Sequence, residues 1–326
     1  MKYLLESFDL LKFPLALLVV CIHTVGPELK TGFAVPCFFV MSGFFFFYNA
    51  KDVGLNFFLA KWKRRLSSLL VPYVLWILLY YVYMQLFETE KLSHIMAGKS
   101  FLAIFYDANN LGHIPLLGPF WYVRDLIKVC LITPVVYWAV KCTKGWIIVL
   151  LGALYILHPI LHLNIPFFGN EPLFFFTSGA FLAMQFGRYS KRDVSLQCFF
   201  TATIIGCLLY IGAYQYDSSC QNIFEKLYVV CGVLWCFSMA ALVNKYFRIS
   251  IPKWVSASSF YIYAVHMFFY TVSFYLVSLL HLGGGTRMLA TPLVIFLSIS
   301  SYFILKIVSP KALAVLLGGR IDYVKK

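Results

Sequence analysis

Charged residues are scarce in this chain. Only 12% of its 326 residues are Asp, Glu, Lys or Arg, while 61% are hydrophobic and 19% are aromatic. Soluble domains carry about 25% charged and about 45–50% apolar residues, so this composition excludes an ordinary soluble protein. One membrane span needs about 20 mostly apolar residues. Ten spans with short loops would use the whole chain and leave no room for a soluble catalytic domain.

Several motifs that carry chemistry are also missing. The chain has no Walker A loop, no GxSxG elbow and no HExxH zinc motif, which leaves ATP-driven transport and the common hydrolase sites unsupported. Its nine cysteines form no CxxC pair, so a structural zinc site and a redox motif are not expected. His158 and His162 have i, i+4 spacing, but Pro159 lies between them. We therefore expect no metal. The first apolar run lacks a small-residue cleavage site and is predicted to be retained as a span.

Ten apolar segments predict an all-α, polytopic membrane helix bundle in a single membrane-embedded domain over 1–326. Helices are favoured because unpaired backbone groups are costly in hydrocarbon and the alternating pattern of a barrel is absent. The predicted spans lie near 8–27, 32–49, 66–87, 119–140, 145–162, 168–187, 196–214, 226–244, 259–281 and 289–317.

The basic residues are divided unequally between alternate loops. Eighteen Lys and Arg residues lie on the side of the predicted N-terminus, and five lie on the other side, at Lys30, Lys91, Lys99, Lys226 and Arg287. The positive-inside rule then places both termini in the cytoplasm. The same bias indicates that the basic residues behind the net charge of +14 contact anionic lipid head groups rather than nucleic acid.

Ionisable residues within membrane spans mark functional sites by default. Lys12 and His23 are eleven residues apart in the first span, which places them within about 20° of one helix face and about 16 Å apart along the axis. Lys12 could hold a phosphate-rich cofactor and His23 could act as a general base. The alternatives are a Lys12 that reaches the membrane surface and a His23 that only packs or hydrogen-bonds. Glu28 could fold back to orient the His23 ring.

Three further sets of polar residues stand out. Arg124 and Asp125 follow Trp121, and they form either a structural ion pair or a sugar-recognition site with an aromatic platform. The cations from Lys51 to Arg65 are ordinary positive-inside residues or a phosphate site. His266 in the ninth span is a packing residue or a site residue. The long predicted outer loop 88–118 could cap a site.

Five of these segments, in order along the chain, resemble the motifs of acyltransferase family 3 membrane proteins. Lys12 to His23 resembles the Arg/Lys-x10-His signature, and PCFFVMSGFFF at 36–46 resembles the FFxxSGF element. The first motif begins with Lys rather than the commoner Arg, which keeps the charge but loses the planar fork. The other three similar elements are KRRLSSLLVPYVLW at 63–76, PFWYVRDLIKVCLITP at 119–134 and YIYAVHMFF at 261–269.

The resemblance implies a bacterial inner-membrane enzyme that transfers an acyl group, commonly acetyl, from cytoplasmic acyl-coenzyme A. The acceptor would be a hydroxyl of a cell-surface or lipid-linked carbohydrate, as in the stand-alone O-acetyltransferases of fucose and other surface sugars. By the same resemblance His23 is catalytic, and Lys12, Arg64 and Arg65 bind the coenzyme. The expected acceptor-binding residues are Glu28, Trp121, Arg124, Asp125 and His266.

The rival hypothesis is a transporter or flippase of a sugar or lipid-linked intermediate. It also predicts polar residues at the midplane, but the inverted repeats that would support it are not evident. A scaffold subunit without coenzyme binding is a third hypothesis. The sequence leaves open the acceptor, the acyl chain and oligomerisation.

Overall fold

The structure is a computed structural model of the chain. It describes residues 2–26, 31–50, 53–108, 114–189, 195–215, 218–247, 249, 251–279 and 286–319.

Within these ranges the regular structure is helical, with thirteen α-helices, two short 3-10 helices and no β-strand. The 3-10 helices are Phe101–Phe105 and Gly118–Phe120. The all-α prediction is confirmed. The α-helices are α1 (Lys2–Val25), α2 (Ala34–Phe47), α3 (Leu55–Phe87), α4 (Thr89–Met96), α5 (Trp121–Leu131), α6 (Thr133–Cys142), α7 (Trp146–Leu161), α8 (Asn170–Tyr189), α9 (Ser195–Gln215), α10 (Ser218–Phe247), α11 (Lys253–Ser278), α12 (Thr286–Val308) and α13 (Pro310–Leu316).

Several of these helices are long and apolar enough to cross a membrane. Among the described residues there are five, and a sixth if α6 and α7, bent by 115°, form one broken span. The helix α2 and residues Gln197–Gly212 of α9 are apolar but shorter. A helical membrane bundle is therefore confirmed, whereas the count of ten spans stays a prediction. The five are Glu6–Val25, Leu55–Phe87, Asn222–Phe247, Lys253–Ser278 and Leu289–Val308.

Prolines account for two differences from the predicted spans. The segment predicted as one helix over 119–140 is divided at Ile132 into α5 and α6, with Pro134 in the first turn of α6. The last predicted span ends at Val308, and Pro310 begins the separate helix α13. Proline has no backbone N–H and disfavours helical geometry in the residue before it, so each break follows from the sequence.

The basic segment before the third predicted span is helical. The helix α3 begins at Leu55, eleven residues before the expected start of the span at 66. Lys63, Arg64 and Arg65 are therefore helical residues rather than loop residues. The predicted outer loop 88–118 also contains helix, in α4 and the 3-10 helix Phe101–Phe105. Its residues 109–113 lie outside the described residues.

The chain divides into two compact units. The prediction of a single membrane-embedded domain over 1–326 stays a prediction. The first unit comprises Met1–Leu15, Thr31–Lys61 and Lys128–Pro252. Its helices α2 and α8 pack together closely. A Cβ atom at Gly43 would overlap the backbone carbonyl of Phe176, and one at Gly179 would overlap that of Val40. Close helix crossings in membranes use small residues in this way.

The second unit comprises Ala16–Lys30, Trp62–Ile127 and Lys253–Lys326. Its helices α11 and α12 pack along each other. The indole nitrogen of Trp76 in α3 donates to the carbonyl of Leu316, 3.1 Å away, and a Cβ atom at Gly318 would overlap the carbonyl of Ser68. The C-terminal helix α13 is thereby held against α3. This unit contains most of the predicted site residues.

Candidate functional site

The imidazoles of His23 and His266 lie beside each other in the second unit. Their ring centroids are 5.3 Å apart and their planes differ by 30°. His23 is in the last turn of α1 and is partly exposed, whereas His266 in α11 is completely buried. The structure therefore brings together two residues that the sequence indicated only separately, one from the first motif and one from the last.

The hydrogen bond of His266 fixes its tautomer when the ring is neutral. Its Nδ1 lies 2.7 Å from the carbonyl oxygen of Tyr263, one turn earlier in α11. A carbonyl only accepts, so Nδ1 carries the proton and Nε2 presents a lone pair. That Nε2 is buried, and it has no hydrogen-bond partner among the described residues. A buried acceptor without a donor is unusual in a native structure and calls for a functional or structural reason.

Aromatic packing holds Tyr263 in place. Its ring is stacked on Phe120 at 5.5 Å and lies 6.1 Å from Tyr122, and its hydroxyl donates to the carbonyl of Pro119. The ring of Tyr73 in α3 stacks on Phe120 in turn, at 6.0 Å. Three segments of the second unit thereby meet around the tyrosine whose carbonyl binds His266.

A pair of buried hydroxyls lies next to His23. Thr291 in α12 donates to Thr24, with 2.7 Å between the two Oγ1 atoms, and Thr24 donates to the carbonyl of Val20 at 3.0 Å. Hydroxyls both donate and accept, so one group can serve in both bonds. The end of α1 that carries His23 is therefore tied to α12.

Arg124 and Asp125 form the ion pair that the sequence suggested. Arg124 Nε donates to Asp125 Oδ1 at 2.9 Å, and both side chains are largely buried. Arg124 Nη1 also lies 3.3 Å from the carbonyl oxygen of Tyr106. The pair therefore anchors the segment before α5, which favours its structural role. Trp121, the predicted sugar platform, is partly exposed at the start of α5.

The predicted coenzyme-binding residues fall in both units. Arg64 and Arg65 belong to the second unit, where Arg64 is exposed and Arg65 partly exposed. Lys12 belongs to the first unit, where its Nζ is 2.6 Å from Asp9 Oδ1 and 5.6 Å from the Phe45 ring centroid. Their roles in coenzyme binding stay predictions, as does the role of Glu28, which lies outside the described residues.

Sequence reasoning missed Tyr263, Thr24 and Thr291. The spacing of Tyr263 and His266, three residues apart in a helix, was a signal for the first of these. No comparable signal exists for a contact between Thr24 and Thr291, because they are 267 residues apart. In the described part of the chain, no group of three or more His, Cys, Asp or Glu side chains is placed to hold a metal ion.

Comparison with known proteins supplies one finding. A family model described as an acyltransferase domain, Acyl_transf_3, matches residues 5–307. The comparisons with curated proteins and with solved structures found no match. The matched range contains His23, His266, the Arg124–Asp125 pair and all or nearly all of each described helix except α13. The match favours an enzyme over the rival transporter hypothesis.

Proposed function

Because the chain belongs to the acyltransferase domain family Acyl_transf_3, we propose that it is a membrane-bound O-acyltransferase using acyl-coenzyme A. The proposed acceptor is a hydroxyl of a cell-surface or lipid-linked carbohydrate, and the proposed acyl group is acetyl. The proposed location is a bacterial inner membrane, with both termini in the cytoplasm. The observation that carries the proposal is the family match over nearly the whole chain.

His23 is the proposed general base. It is partly exposed, and the neighbouring His266 ring supports one side of it. Imidazole is the side chain best suited to accept and return a proton near neutral pH. The equivalent position in the Arg/Lys-x10-His signature of the family supports the same assignment.

The proposed reaction uses one imidazole to accept a proton and then return it. His23 accepts the proton of the acceptor hydroxyl while the hydroxyl oxygen forms a bond to the thioester carbonyl carbon. The carbon–sulfur bond then breaks, and the departing thiolate takes the proton from the imidazolium. The products are the carbohydrate ester and the free coenzyme A thiol. A two-step route, with an acyl-enzyme before the acceptor arrives, gives the same products.

Donor binding is proposed to use the cations of α3. Arg64 and Arg65 are consecutive and at least partly exposed, which suits them to the phosphates of coenzyme A. Lys12 is proposed as a further donor-binding cation. The charge bias of the loops supports a cytoplasmic location for this end of α3.

Acceptor binding is proposed to involve the outer end of α5. Trp121 offers an aromatic face that is partly exposed. The Arg124–Asp125 ion pair lies on the following turn, where it is proposed to contact the acceptor in addition to anchoring the segment before α5. Aromatic platforms with nearby polar groups are a common way to bind an amphipathic ligand such as a sugar. Glu28 and His266 complete the predicted acceptor-binding residues.

The test is donor binding and turnover by detergent-purified protein. Labelled acetyl-coenzyme A is supplied to the wild type, His23→Ala and Lys12→Ala, and binding and slow hydrolysis are measured separately. We expect His23→Ala to bind the donor normally and to lose about 10²–10⁴-fold in turnover, the usual contribution of general base catalysis. We expect Lys12→Ala to weaken binding.

His94→Ala is the matched control, because His94 is an exposed histidine in α4. It should bind and turn over the donor as the wild type does. If the wild type neither binds nor hydrolyses acetyl-, succinyl- or longer acyl-coenzyme A, the donor assignment is wrong. If His23→Ala retains full turnover, the assignment of the base is wrong while the donor assignment stands.

A further inference from the structure

The buried Nε2 of His266 is a hydrogen-bond acceptor for which the described residues supply no donor. The Nδ1 proton of the neutral ring is committed to the Tyr263 carbonyl at 2.7 Å, so this ring can only accept at Nε2. The aromatic packing around Tyr263 fixes the carbonyl, and α11 fixes the ring. The lone pair is therefore held in one direction before any substrate binds.

The His23 ring is placed to be the donor. It lies 5.3 Å from His266 between centroids, and it is partly exposed, so its ring can turn more freely than the buried ring of His266. A neutral imidazole has one N–H and one lone pair. If its N–H points to His266, its remaining nitrogen must carry the lone pair that receives a proton from a hydroxyl.

We infer that His266 is a positioning residue that accepts a hydrogen bond from His23 at Nε2 and thereby selects the His23 tautomer able to act as base. The inference rests on the proposed function. It changes the role predicted for His266 from binding the acceptor to orienting the base. Many active sites contain such a third group, which orients the base that activates the nucleophile. No proton moves to His266, because His23 returns its proton to the thiolate.

Two isosteric replacements separate this role from simple packing. In His266→Asn the amide nitrogen can take the place of Nδ1 and keep the bond to the Tyr263 carbonyl, but nothing replaces Nε2. In His266→Gln the amide oxygen can reach the Nε2 position and accept from His23, while the Tyr263 bond is lost. The positioning role predicts that Gln supports turnover better than Asn, whereas a packing role predicts the reverse or no difference.

The measurement is kcat and KM for acetyl transfer or hydrolysis by the purified full chain. We expect His266→Asn to lose at least about tenfold in kcat with the donor KM within about twofold, and His266→Gln to stay within a few-fold of the wild type. Combining His266→Asn with His23→Ala should cause no further loss. Ser273→Ala is the control, because Ser273 is buried in α11, seven residues from His266, and its hydroxyl also lacks a partner among the described residues.

Equal activity of Asn and Gln, or better activity of Asn, would overturn the positioning role while leaving the acyltransferase assignment intact. An inactive wild type would instead overturn the proposed function. Nitrogen NMR of histidine-labelled wild-type protein tests the inference without any variant at position 266. The signals can be assigned by replacing the other histidines one at a time. A His266 ring protonated at Nδ1 with an unprotonated, hydrogen-bonded Nε2 supports the inference, and a ring protonated at Nε2 contradicts it.

Discussion

The hydroxyl of Thr291 donates to the hydroxyl of Thr24, the residue that follows His23, across 2.7 Å. Both threonines are buried, at 8% and 2% exposure. The bond joins α12 to the end of α1, so it limits the positions that the His23 ring can take. Two residues from opposite ends of the chain therefore contribute to the placement of the proposed base.

Thr24→Val should destabilise the protein by about 0.5–1.5 kcal/mol, because it removes the hydrogen bond between Thr24 and Thr291 and the bond from Thr24 to the Val20 carbonyl. Thr24→Val combined with Thr291→Val should cost less than the sum of the single changes, since both partners are then apolar. The free energies can be compared through thermal unfolding in one detergent. Thr203→Val is the control, because the Thr203 hydroxyl bonds to Phe199 of its own helix. Additive losses would show that the two hydroxyls do not depend on each other.

Arg124→Gln should loosen the segment before α5. The change removes the charge-assisted bond to Asp125 and the bond to the Tyr106 carbonyl, and it leaves the largely buried Asp125 without the Arg124 charge. Bonds to charged groups contribute about 1.5–3 kcal/mol each, so a clear drop in the unfolding midpoint is expected. Faster backbone hydrogen exchange near Tyr106 would locate the effect.

The matched control for that change is Lys91→Gln. Lys91 Nζ is 2.7 Å from Glu88 Oε2, but the Lys91 side chain is 59% exposed. The Glu88 side chain is only 11% exposed, but it keeps the hydrogen bond from Thr271 when Lys91 is replaced. An ion pair with one well-exposed partner contributes about 0–1 kcal/mol, so this variant should stay close to the wild-type midpoint. Should Arg124→Gln instead keep its midpoint and raise only the KM for the acceptor, Arg124 would be a recognition residue rather than an anchor.

Gly43→Ala should disrupt the packing of α2 on α8. The added methyl group would meet the backbone carbonyl of Phe176, which cannot move aside as a side chain can. Overpacking of this kind costs about 1–3 kcal/mol, and a separation of the helices would cost more. Thermal unfolding of the purified protein measures the loss, and Gly179→Ala should behave alike.

Gly206→Ala provides the comparison for those two variants. Gly206 lies in α9, where an added Cβ would be 3.6 Å from the Cβ of Cys231, an ordinary van der Waals contact. Alanine also favours helix over glycine, so this variant should be neutral or slightly stabilised. Equal behaviour of Gly43→Ala and Gly206→Ala would contradict the close crossing of α2 and α8.

The glycines illustrate what the sequence could predict. The FFxxSGF-like segment identified Gly43 as part of a motif, and long apolar segments predicted both helices of the crossing, near 32–49 and 168–187. Neither indicated Gly179 as its counterpart, because the pairing of two helices depends on contacts far apart in sequence. The same holds for the site, where motif spacing predicted His23 and His266 individually, but only the packing of α1 and α11 in the second unit brings their rings to 5.3 Å.

Helix boundaries were predictable where proline or hydropathy decides them and less so elsewhere. Pro134 and Pro310 lie at the two breaks that divide predicted spans. The start of α3 was missed because hydropathy marks where lipid contact begins, while the helix continues through the basic residues beyond it. Long Lys and Arg side chains are good helix formers, so charge ends a hydrophobic segment without ending the helix.

That extension of α3 leads to a prediction about the donor. Arg64→Gln combined with Arg65→Gln should weaken acetyl-coenzyme A binding by at least about tenfold, because two charge-assisted contacts to phosphate are lost. The kcat at saturating donor should change little, since neither residue is proposed to touch the reacting atoms.

The affinity of the wild type for acetyl-coenzyme A should fall as the salt concentration is raised, because the charges of Arg64 and Arg65 are at least partly exposed and are screened at high ionic strength. This salt dependence should be smaller in the double variant. Lys311→Gln, which removes an exposed cation of α13, should leave both affinity and its salt dependence unchanged. Equal weakening by Lys311→Gln would mean that the overall positive charge of the protein, rather than Arg64 and Arg65, attracts the donor.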